Sequence, residues 1–512
     1  MGLYFENIIP FFFILILISK IKNKKAILLV FIIGIIYVSY LENDFINIKS
    51  NIESGKYILK IISEKQENNY TNKYTAKIVE NEKLALKNRK VYLLLPKKEN
   101  ELKIGDIVFV DGEKLNETSF KNHNQYDNSK YQKQSKIYGT LKVIKIIKIK
   151  KANIKTIKEH INQRLEYLFE GDEKAVLFSI ILGNKNFITD KILNDFRKSG
   201  FSHIIEVSGM HIGYVIASSE KLLNIFKIGK RETKFILIII LLFFYYIVGF
   251  SSSISRSIIM SILTLISSLI HKKKNTLNSL FISAFIILIY NPFLIENPGF
   301  ILTYLGTIGI VEFEPLINKK VMKNKIYLKK KKEYIKHIQI YTKLEKEKIK
   351  IKDSKKSLKD KIRECIDLAK STNSISIVEK RVYIKYKILS FLFENLSVSI
   401  AVNLFSIPAS IYLFNSINII SIISSIIVSP VVGGIVSIGI IIIFFCFLPK
   451  IFFKLPIIIL NKLLKLIIIF SETFKIFSIN ITTPPIVSII FIYGYLIWKI
   501  FINKNIKKIW ER

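Results

Sequence analysis

The chain has 512 residues, of which 50% are hydrophobic and 37 are phenylalanine, and its mean hydropathy is +0.35. Such a chain cannot bury its apolar surface in one soluble core, so composition excludes an ordinary globular protein and favours several membrane helices. The formal net charge is +39, but Ile, Lys and Asn are all abundant, so charge alone is weak evidence for a polyanionic partner. The two cysteines, Cys365 and Cys446, predict neither a disulfide framework nor a thiolate metal site.

The first 43 residues (1–43) predict an N-terminal transmembrane hairpin. An apolar run at 8–19 is followed by a second at 26–40, and lysines dominate the short connection between them. That connection carries no small-residue cleavage pattern, so the two runs indicate retained helices rather than a secretory signal peptide.

The segment 44–150 predicts a small β-barrel. Apolar and polar residues alternate in five short stretches, separated by turn residues such as Asn81 and Gly105. The predicted strands cover 56–63, 74–80, 90–95, 107–110 and 137–148. Five strands in a segment of about 100 residues favour an OB-like barrel.

Residues 151–171 predict an amphipathic helix at the membrane interface, because Ile157, Ile161, Leu165 and Leu168 recur at helical spacing. A membrane domain then follows in two parts, 172–318 and 391–512, on either side of a lysine-rich cytoplasmic insert at 319–390. The predicted apolar helices cover 204–225, 234–250, 255–271, 277–290, 299–316, 394–414, 418–448, 457–476 and 484–501.

The run 418–448 is too long for one straight crossing of the bilayer. Pro430, together with Gly433 and Gly434, predicts a broken helix within it. Irregular backbone at bilayer depth is tolerated only against protein or a water-filled cavity, so we expect this segment to line a pore.

The distribution of lysine predicts the topology. When the helices are counted off, the lysine-rich connections all fall on one side: 20–25, 227–234, 272–274, 319–387, 450–454 and 504–512. The opposite connections, at 251–253, 291–299, 415–418 and 480–485, carry almost no positive charge. The positive-inside rule therefore predicts a multi-pass protein of the cytoplasmic membrane with the barrel outside the cell and the C-terminus in the cytoplasm.

The stretch 196–213 carries the most informative group of side chains. It places His203, Glu206, Ser208 and His211 at the outer mouth of a membrane helix. Ionisable groups are costly there unless they face protein or water, so a functional role is the default hypothesis. A polar helix-packing site with satisfied histidines is the alternative.

This stretch resembles the signature of the ComEC competence-protein family, a G-x-x-H-x-x-x-x-S-G-x-H pattern that opens the membrane domain. The matching residues are Gly200, His203, Ser208, Gly209 and His211. Three later segments are similar to the family as well: the serine-rich turn at 249–260 with Arg256 and Met260, the 299–303 segment with Gly306 and Gly309 after it, and the 399–408 stretch that leads to Pro430. Thr303 stands where the family has serine.

The resemblance implies an inner-membrane channel that translocates single-stranded DNA into the cytoplasm during natural transformation. The implied fold is a polytopic α-helical membrane protein with a small extracytoplasmic OB-like β-barrel. Many members also carry a metallo-beta-lactamase-like domain, and we expect this chain to lack it. We therefore expect that the chain is not an enzyme and needs no metal or cofactor.

The topology and the resemblance together nominate residues for the DNA path or gate, and these are His203, Ser208, Gly209, His211, Ser252, Ser253, Arg256 and Pro430. In the barrel, Tyr126, Lys130 and Tyr131 are candidates for DNA contact, and Tyr70, Tyr74 and Tyr92 offer further stacking faces unless they are core residues. The implied partners are single-stranded DNA, membrane lipids, a surface DNA receptor and a cytoplasmic ATP-driven translocase, and self-association is left open.

Three alternatives stand beside the channel. A small-solute or lipid-linked transporter would predict internal repeats, and the sequence has none that are convincing. A membrane-embedded hydrolase would use Ser208 and His211 as nucleophile and base, which lie three residues apart on one helix face. A metal site would use His203, Glu206 and His211.

Overall fold

The computed structural model describes residues 24–67, 71–80, 84–97, 102–115, 128–151, 157–272, 275–321, 377–414, 416–417, 421–445, 449–477, 479–480 and 492–495. The first helix of the predicted hairpin, most of the lysine-rich insert and most of the helix predicted at 484–501 lie outside these residues. The chain divides into two compact units. Unit 1 comprises Met1–Tyr304 and Pro430–Ser478, and unit 2 comprises Leu305–Ser429 and Ile479–Arg512.

Unit 1 begins with a long helix, α1 (Lys24–Asn51), that changes character along its length. Its middle exposes apolar side chains, including Ile36 and Tyr40, whereas Phe45 and Ile48 near its end are buried in the core of the barrel. The hydroxyl of Tyr37 donates to the carbonyl of Ile289 at 2.7 Å. One helix therefore joins the predicted membrane region to the barrel.

The barrel consists of β1 (Gly55–Ile61), β2 (Gln66–Glu67), β3 (Thr71–Glu80), β4 (Lys90–Pro96), β5 (Ile107–Lys114) and β6 (Ile137–Lys150), with the helix α2 (Asn128–Ser135) before β6. The strand order is β1-β5-β6-β4-β3-β2, and an additional pairing of β1 with β3 closes the sheet. Among these strands β4 and β6 are parallel, and the other pairs are antiparallel. All five predicted strands are present.

Alternation of side chains along the strands fills the barrel interior. In β3 every second residue from Asn72 to Ile78 is buried, as expected when one face of a strand packs against a core. Tyr74 and Tyr92 are buried too, so their proposed use as stacking faces for DNA is wrong. The backbone N–H of Leu102 donates to the Tyr74 hydroxyl at 3.4 Å, which satisfies the polar end of the buried ring.

The rest of unit 1 is helical. Its helices are α3 (Ile157–Leu168), α4 (Gly171–Leu182), α5 (Asp190–Lys198), α6 (Ser202–Ile205), α7 (Gly209–Ile225), α8 (Lys230–Val248), α9 (Ser252–Leu269), α10 (Thr276–Tyr290) and, passing into unit 2, α11 (Pro298–Val321). The predicted helices at 234–250, 255–271, 277–290 and 299–316 correspond to α8, α9, α10 and α11. Residues Ile161, Leu165 and Leu168 of α3 are buried.

Unit 2 contains part of α11, α12 (Ile377–Phe414), the short strands β7 (Ser416–Ile417) and β8 (Ile479–Asn480), and the start of α13 (Ser421–Phe444). The end of α13 and α14 (Lys454–Phe474) belong to unit 1. Within unit 2 the rings of Phe313 and Phe405 meet edge to face at 5.0 Å, and the hydroxyl of Tyr493 donates to the carbonyl of Phe405 at 2.7 Å.

Four of these helical segments are long and apolar enough to cross a membrane, and they are Ser252–Leu269, Pro298–Asn318, Ile388–Leu413 and Ser425–Phe444. The helix Thr276–Tyr290 is apolar but shorter. The chain is therefore mostly helical, with several candidate membrane spans and a small barrel near its N-terminus.

One predicted helix is divided in the structure, and a further helix is present where none was predicted. The helix predicted at 204–225 is split into α6 and α7, because Glu206 and Ser208 adopt extended backbone angles between them. Gly209 is the first residue of α7. The helix α4 was not predicted, since its apolar run is shorter than a membrane span, and its residues 175–182 are all buried.

The predicted break at Pro430 is wrong. Helix α13 continues from Ser421 to Phe444 with Pro430 inside it. Proline removes one backbone hydrogen bond, but continuing the helix satisfies the remaining backbone groups in apolar surroundings. The neighbouring glycines serve close packing instead. A Cβ at Gly433 would lie 2.8 Å from the ring of Tyr214, and a Cβ at Gly434 would lie 3.1 Å from Leu463.

Candidate functional site

The candidate site begins at the turn between α5 and α6. Gly200 has a φ of 79°, in the left-handed region that a residue with a Cβ rarely adopts, which explains a glycine at this position. The ring of His203 is exposed, and its Nδ1–H donates to the carbonyl of Gly200 at 3.0 Å. His203 therefore lies on the surface of the turn.

Ser208 and His211 form the N-terminus of α7. Ser208 is the N-cap residue, and its backbone N–H donates to Nδ1 of His211 at 3.2 Å. The Ser208 Oγ lies 2.9 Å from the same nitrogen. Because Nδ1 accepts these bonds, the neutral ring carries its proton on Nε2. His211 is fully buried, and its Nε2 has no hydrogen-bond partner among the described residues.

Gly209 allows the N-terminus of α7 to approach α9. A Cβ at this position would lie 3.0 Å from Oγ of Ser257 and 3.4 Å from Nη2 of Arg256. Both distances are shorter than those of most side-chain contacts, so a larger residue would force the Ser257 or Arg256 side chain to move. The glycine of the motif thus brings the Ser208–His211 cap next to the Arg256 side chain.

Arg256 is a buried cation with only 8% of its surface exposed. Its Nη1 donates to the carbonyl of Thr303 at 2.9 Å, and its Nη2 donates to Oγ of Ser257 at 3.4 Å. The guanidinium also lies 5.8 Å from the centroid of the Tyr304 ring. Burying a charge is costly unless polar partners receive it, so these contacts fix the cation between α9 and α11.

The serine-rich turn before Arg256 is organised by hydrogen bonds. The Oγ of Ser251 accepts from the backbone N–H of Ile254 at 3.3 Å and caps α9. Ser252 is buried, and its hydroxyl donates to Oδ1 of Asn297 at 3.3 Å. Ser253 is half-buried. Polar side chains are therefore densest at the N-terminus of α9.

Asn297 connects this polar end to the barrel. Its Nδ2 donates to Oε1 of Gln134 in α2 at 2.9 Å. Asn291, which is 1% exposed, donates through Nδ2 to the carbonyl of Gln134 at 2.6 Å. These asparagines were not singled out in the sequence, although both precede a proline and bracket the 3-10 helix Pro292–Glu296, and an Asn-Pro pair is a recognisable turn signal.

Two of the three predicted DNA-contact residues of the barrel, Lys130 and Tyr131, lie on the same helix. Lys130 of α2 is 4.0 Å from the carboxylate of Glu296, a long ion pair, and Tyr131 is exposed. Tyr126 lies outside the described residues. At the opposite end of the barrel the Glu64 carboxylate accepts hydrogen bonds from Asn162, at 2.5 Å, and from Asn184. Polar contacts therefore join both ends of the barrel to the helical part of unit 1.

The structure brings some of the nominated residues together and leaves others apart. Ser208, Gly209, His211 and Arg256 form one cluster where α7 meets α9, and Ser252 is linked to the barrel beside it. His203 is exposed on the preceding turn. Pro430 is exposed in α13, one turn before the glycines that pack on α7 and α14.

The hydrolase alternative has one geometric point in its favour, the 2.9 Å distance between Ser208 Oγ and His211 Nδ1. A catalytic base is held by a third group, and here that nitrogen is occupied by the serine's own backbone N–H. The pair is accounted for as a helix cap. In the metal alternative, the Glu206 carboxylate instead pairs with Lys185 at 2.5 Å.

The fold and the site define a helical membrane protein with a buried polar cluster beside a small barrel. The competence protein family model matches residues 180–505, which is more than half of the chain, and the chain belongs to that family. It is also 20% identical over 161 residues to ComE operon protein 3 of Bacillus subtilis (strain 168). That match covers 31% of this chain and 21% of the length of the relative. No solved structure matches the chain.

Proposed function

We propose that the chain forms a conduit that carries single-stranded DNA across the cell membrane during DNA uptake. Membership of the competence protein family and the name of the Bacillus relative support a role in competence. The structural observation that carries the proposal is a line of hydroxyl groups along α9. Single-stranded DNA has one phosphate charge per nucleotide, so a conduit needs a hydrogen-bonding or cationic lining.

The hydroxyl face of α9 comprises Ser253, Ser257, Ser261, Thr264 and Ser268. Steps of three and four residues place side chains on one face of a helix, so these five run along the length of a candidate membrane span. The N-terminal end of this face adjoins Arg256 and the Ser208 cap of α7. Uncharged hydroxyls bind phosphate more weakly than cations do, which favours passage over retention.

A cavity of about 350 Å³ lies against the other end of this face. It is lined by side chains of α7, α8 and α9, among them Glu220 and the hydroxyl residues Ser261, Thr264 and Ser268. Lys234 of α8 also lines it and donates through Nζ to the carbonyl of Ser268 at 3.3 Å. The cavity supports a wet path that begins at the polar cluster and follows α9.

In this proposal the barrel is OB-like, lies outside the cell and collects DNA for the conduit. The closed order of its five long strands supports an OB-type barrel, and the positive-inside rule supports the outer location and a cytoplasmic C-terminus. A surface receptor would supply DNA, and a cytoplasmic ATP-driven translocase would pull it inward. Membrane lipids surround the helices, and self-association would widen the conduit.

The proposed role is transport without chemistry on the DNA. The hydroxyl and cationic residues of the path act by hydrogen bonding and charge, and any cleavage of DNA is assigned to a separate protein or domain.

Deleting the coding sequence tests the proposal in a transformable host. Labelled DNA is supplied to the deletion strain and to a strain with the gene restored, and surface-bound and nuclease-resistant DNA are measured separately. The deletion should abolish nuclease-resistant DNA while surface-bound DNA remains, and restoration should recover it. Unchanged nuclease-resistant DNA in the deletion strain would refute the conduit.

A further inference from the structure

One end of the barrel gathers basic side chains on adjacent strands. Lys90, the first residue of β4, pairs with Lys77 of β3 and with Ile137 of β6. Arg89 directly precedes Lys90, and Lys136 directly precedes Ile137. The sheet register thus places the backbones of Arg89, Lys90 and Lys136 next to one another.

These cations repel one another electrostatically. Partial burial lowers the pKa of Lys90, and neighbouring Lys77 lowers it further. Burial likewise lowers the pKa of Lys136, with additional repulsion from Lys90 and Arg89. Oδ2 of Asp44 lies 3.6 Å from Nη2 of Arg89, and this carboxylate offsets part of the positive charge of the cluster. Like charges held this close favour binding of an anion that relieves their repulsion.

Two exposed aromatic rings continue this surface towards the polar cluster. The Nζ of Lys136 donates to the carbonyl of Tyr290 at 2.7 Å and lies 4.3 Å from the centroid of its ring. The Tyr290 ring is 5.5 Å from that of Phe250. Tyr290 is 58% exposed and Phe250 is 49% exposed. Phe250 directly precedes Ser251, which caps α9.

We propose that Arg89, Lys90, Lys136, Phe250 and Tyr290 form a binding surface for single-stranded nucleic acid, called here the junction surface. The cations contact phosphates, and bases stack on the two rings. The inference rests on the proposed function and adds to it the place where the barrel passes the strand to the start of α9.

The order of groups on the junction surface favours nucleic acid as its ligand. Proteins that bind single strands without reading sequence combine a basic track with aromatic faces, and here the two occur in continuous succession. Rings that only anchor a protein at the membrane interface need no cation cluster. In addition, the hydrogen bond from Nζ of Lys136 to the Tyr290 carbonyl holds the ammonium beside the ring.

Binding is measured with the full-length chain in detergent, by fluorescence anisotropy of a labelled oligothymidylate over a range of salt concentrations. The cation test is Lys90→Gln with Lys136→Gln, and its matched control is Lys145→Gln with Lys148→Gln at exposed positions along β6. The salt slope is the slope of log affinity against log salt concentration, and each lost phosphate contact lowers its magnitude by about 0.7 for a single strand. The test pair should therefore lower it by about 1.4, and the control pair should leave it nearly unchanged.

The aromatic test is Tyr290→Leu, with Tyr246→Leu on the exposed face of α8 as its control. Loss of one stacked base should weaken binding at least about fivefold, and the control should not. Lys90→Arg should retain binding, which separates loss of charge from misfolding. Equal effects of test and control pairs, or an unchanged affinity in Tyr290→Leu, would overturn the junction surface. An interfacial anchor alone would lower the thermal midpoint of Tyr290→Leu without changing its affinity. DNA entry through the conduit is scored separately in cells.

Discussion

Replacing Gly209 by alanine tests whether close contact between α7 and α9 builds the polar cluster. The added Cβ would lie 3.0 Å from Oγ of Ser257 and 3.4 Å from Nη2 of Arg256. Overpacking of this kind costs about 1–3 kcal/mol. Gly213 provides a matched control one turn later in α7, because a Cβ there has nothing within 4 Å.

Alanine is favoured over glycine in a helix interior by about 0.5–1 kcal/mol, and this gain applies fully at Gly213 but less at Gly209, the first helical residue. The steric cost is therefore the part of the difference between Gly209→Ala and Gly213→Ala that exceeds this gain. We expect Gly213→Ala to keep or raise the thermal midpoint of the purified protein, and Gly209→Ala to lower it and to reduce DNA internalisation.

A second substitution identifies the atoms responsible. Ser257→Ala removes the oxygen closest to the new Cβ, so it should restore part of the stability lost in Gly209→Ala, although it is expected to be neutral or harmful by itself. The reasoning is refuted if Gly209→Ala behaves like Gly213→Ala, or if removing the Ser257 hydroxyl gives no recovery.

Three further predictions concern the barrel, the helix packing and the topology. Glu64→Ala removes the acceptor of two asparagine amides, and hydrogen bonds to charged groups contribute about 1.5–3 kcal/mol each. The thermal midpoint should therefore fall, and a protease should digest the barrel sooner. An unchanged digestion rate would contradict this prediction. Gly433→Ala should reduce the amount of protein in the membrane, because its Cβ would meet the Tyr214 ring, and Tyr214→Leu should partly reverse the loss. In intact cells without native cysteines, Lys148→Cys should react with an impermeant thiol reagent and Lys227→Cys should not; equal labelling would reject the topology.

The barrel was predictable from the sequence because its strands carry a local signal. Alternation over 74–80 fixes both the strand and its buried face, whereas residues 137–141 of β6 are all buried. The helices α8 to α11 were predictable for a similar reason, since long apolar runs have few alternatives. Glycine and proline were harder to interpret. Pro430 lies inside a continuous helix, and the glycines after it pack against Tyr214 and Leu463, which are distant in sequence.

The candidate site was only partly predictable. Sequence spacing placed Ser208 and His211 three residues apart on one helix face, but it did not predict that Ser208 would cap α7. It gave no indication that Gly209 would adjoin Arg256, 47 positions later, or that Asn297 would bridge Ser252 to the barrel. Such contacts depend on tertiary packing, which leaves no periodic trace in the sequence.

Photocrosslinking during uptake tests the conduit most directly. A photoreactive amino acid is placed at Ser261, on the hydroxyl face of α9, or at Ile266, which is exposed on the opposite face. Cells take up a labelled strand that is blocked at its trailing end, so that it stops during passage, and are then irradiated. The conduit along α9 predicts a crosslink from position 261 and none from position 266. Crosslinks from 266 alone, or from neither position while DNA still enters the cell, would contradict it.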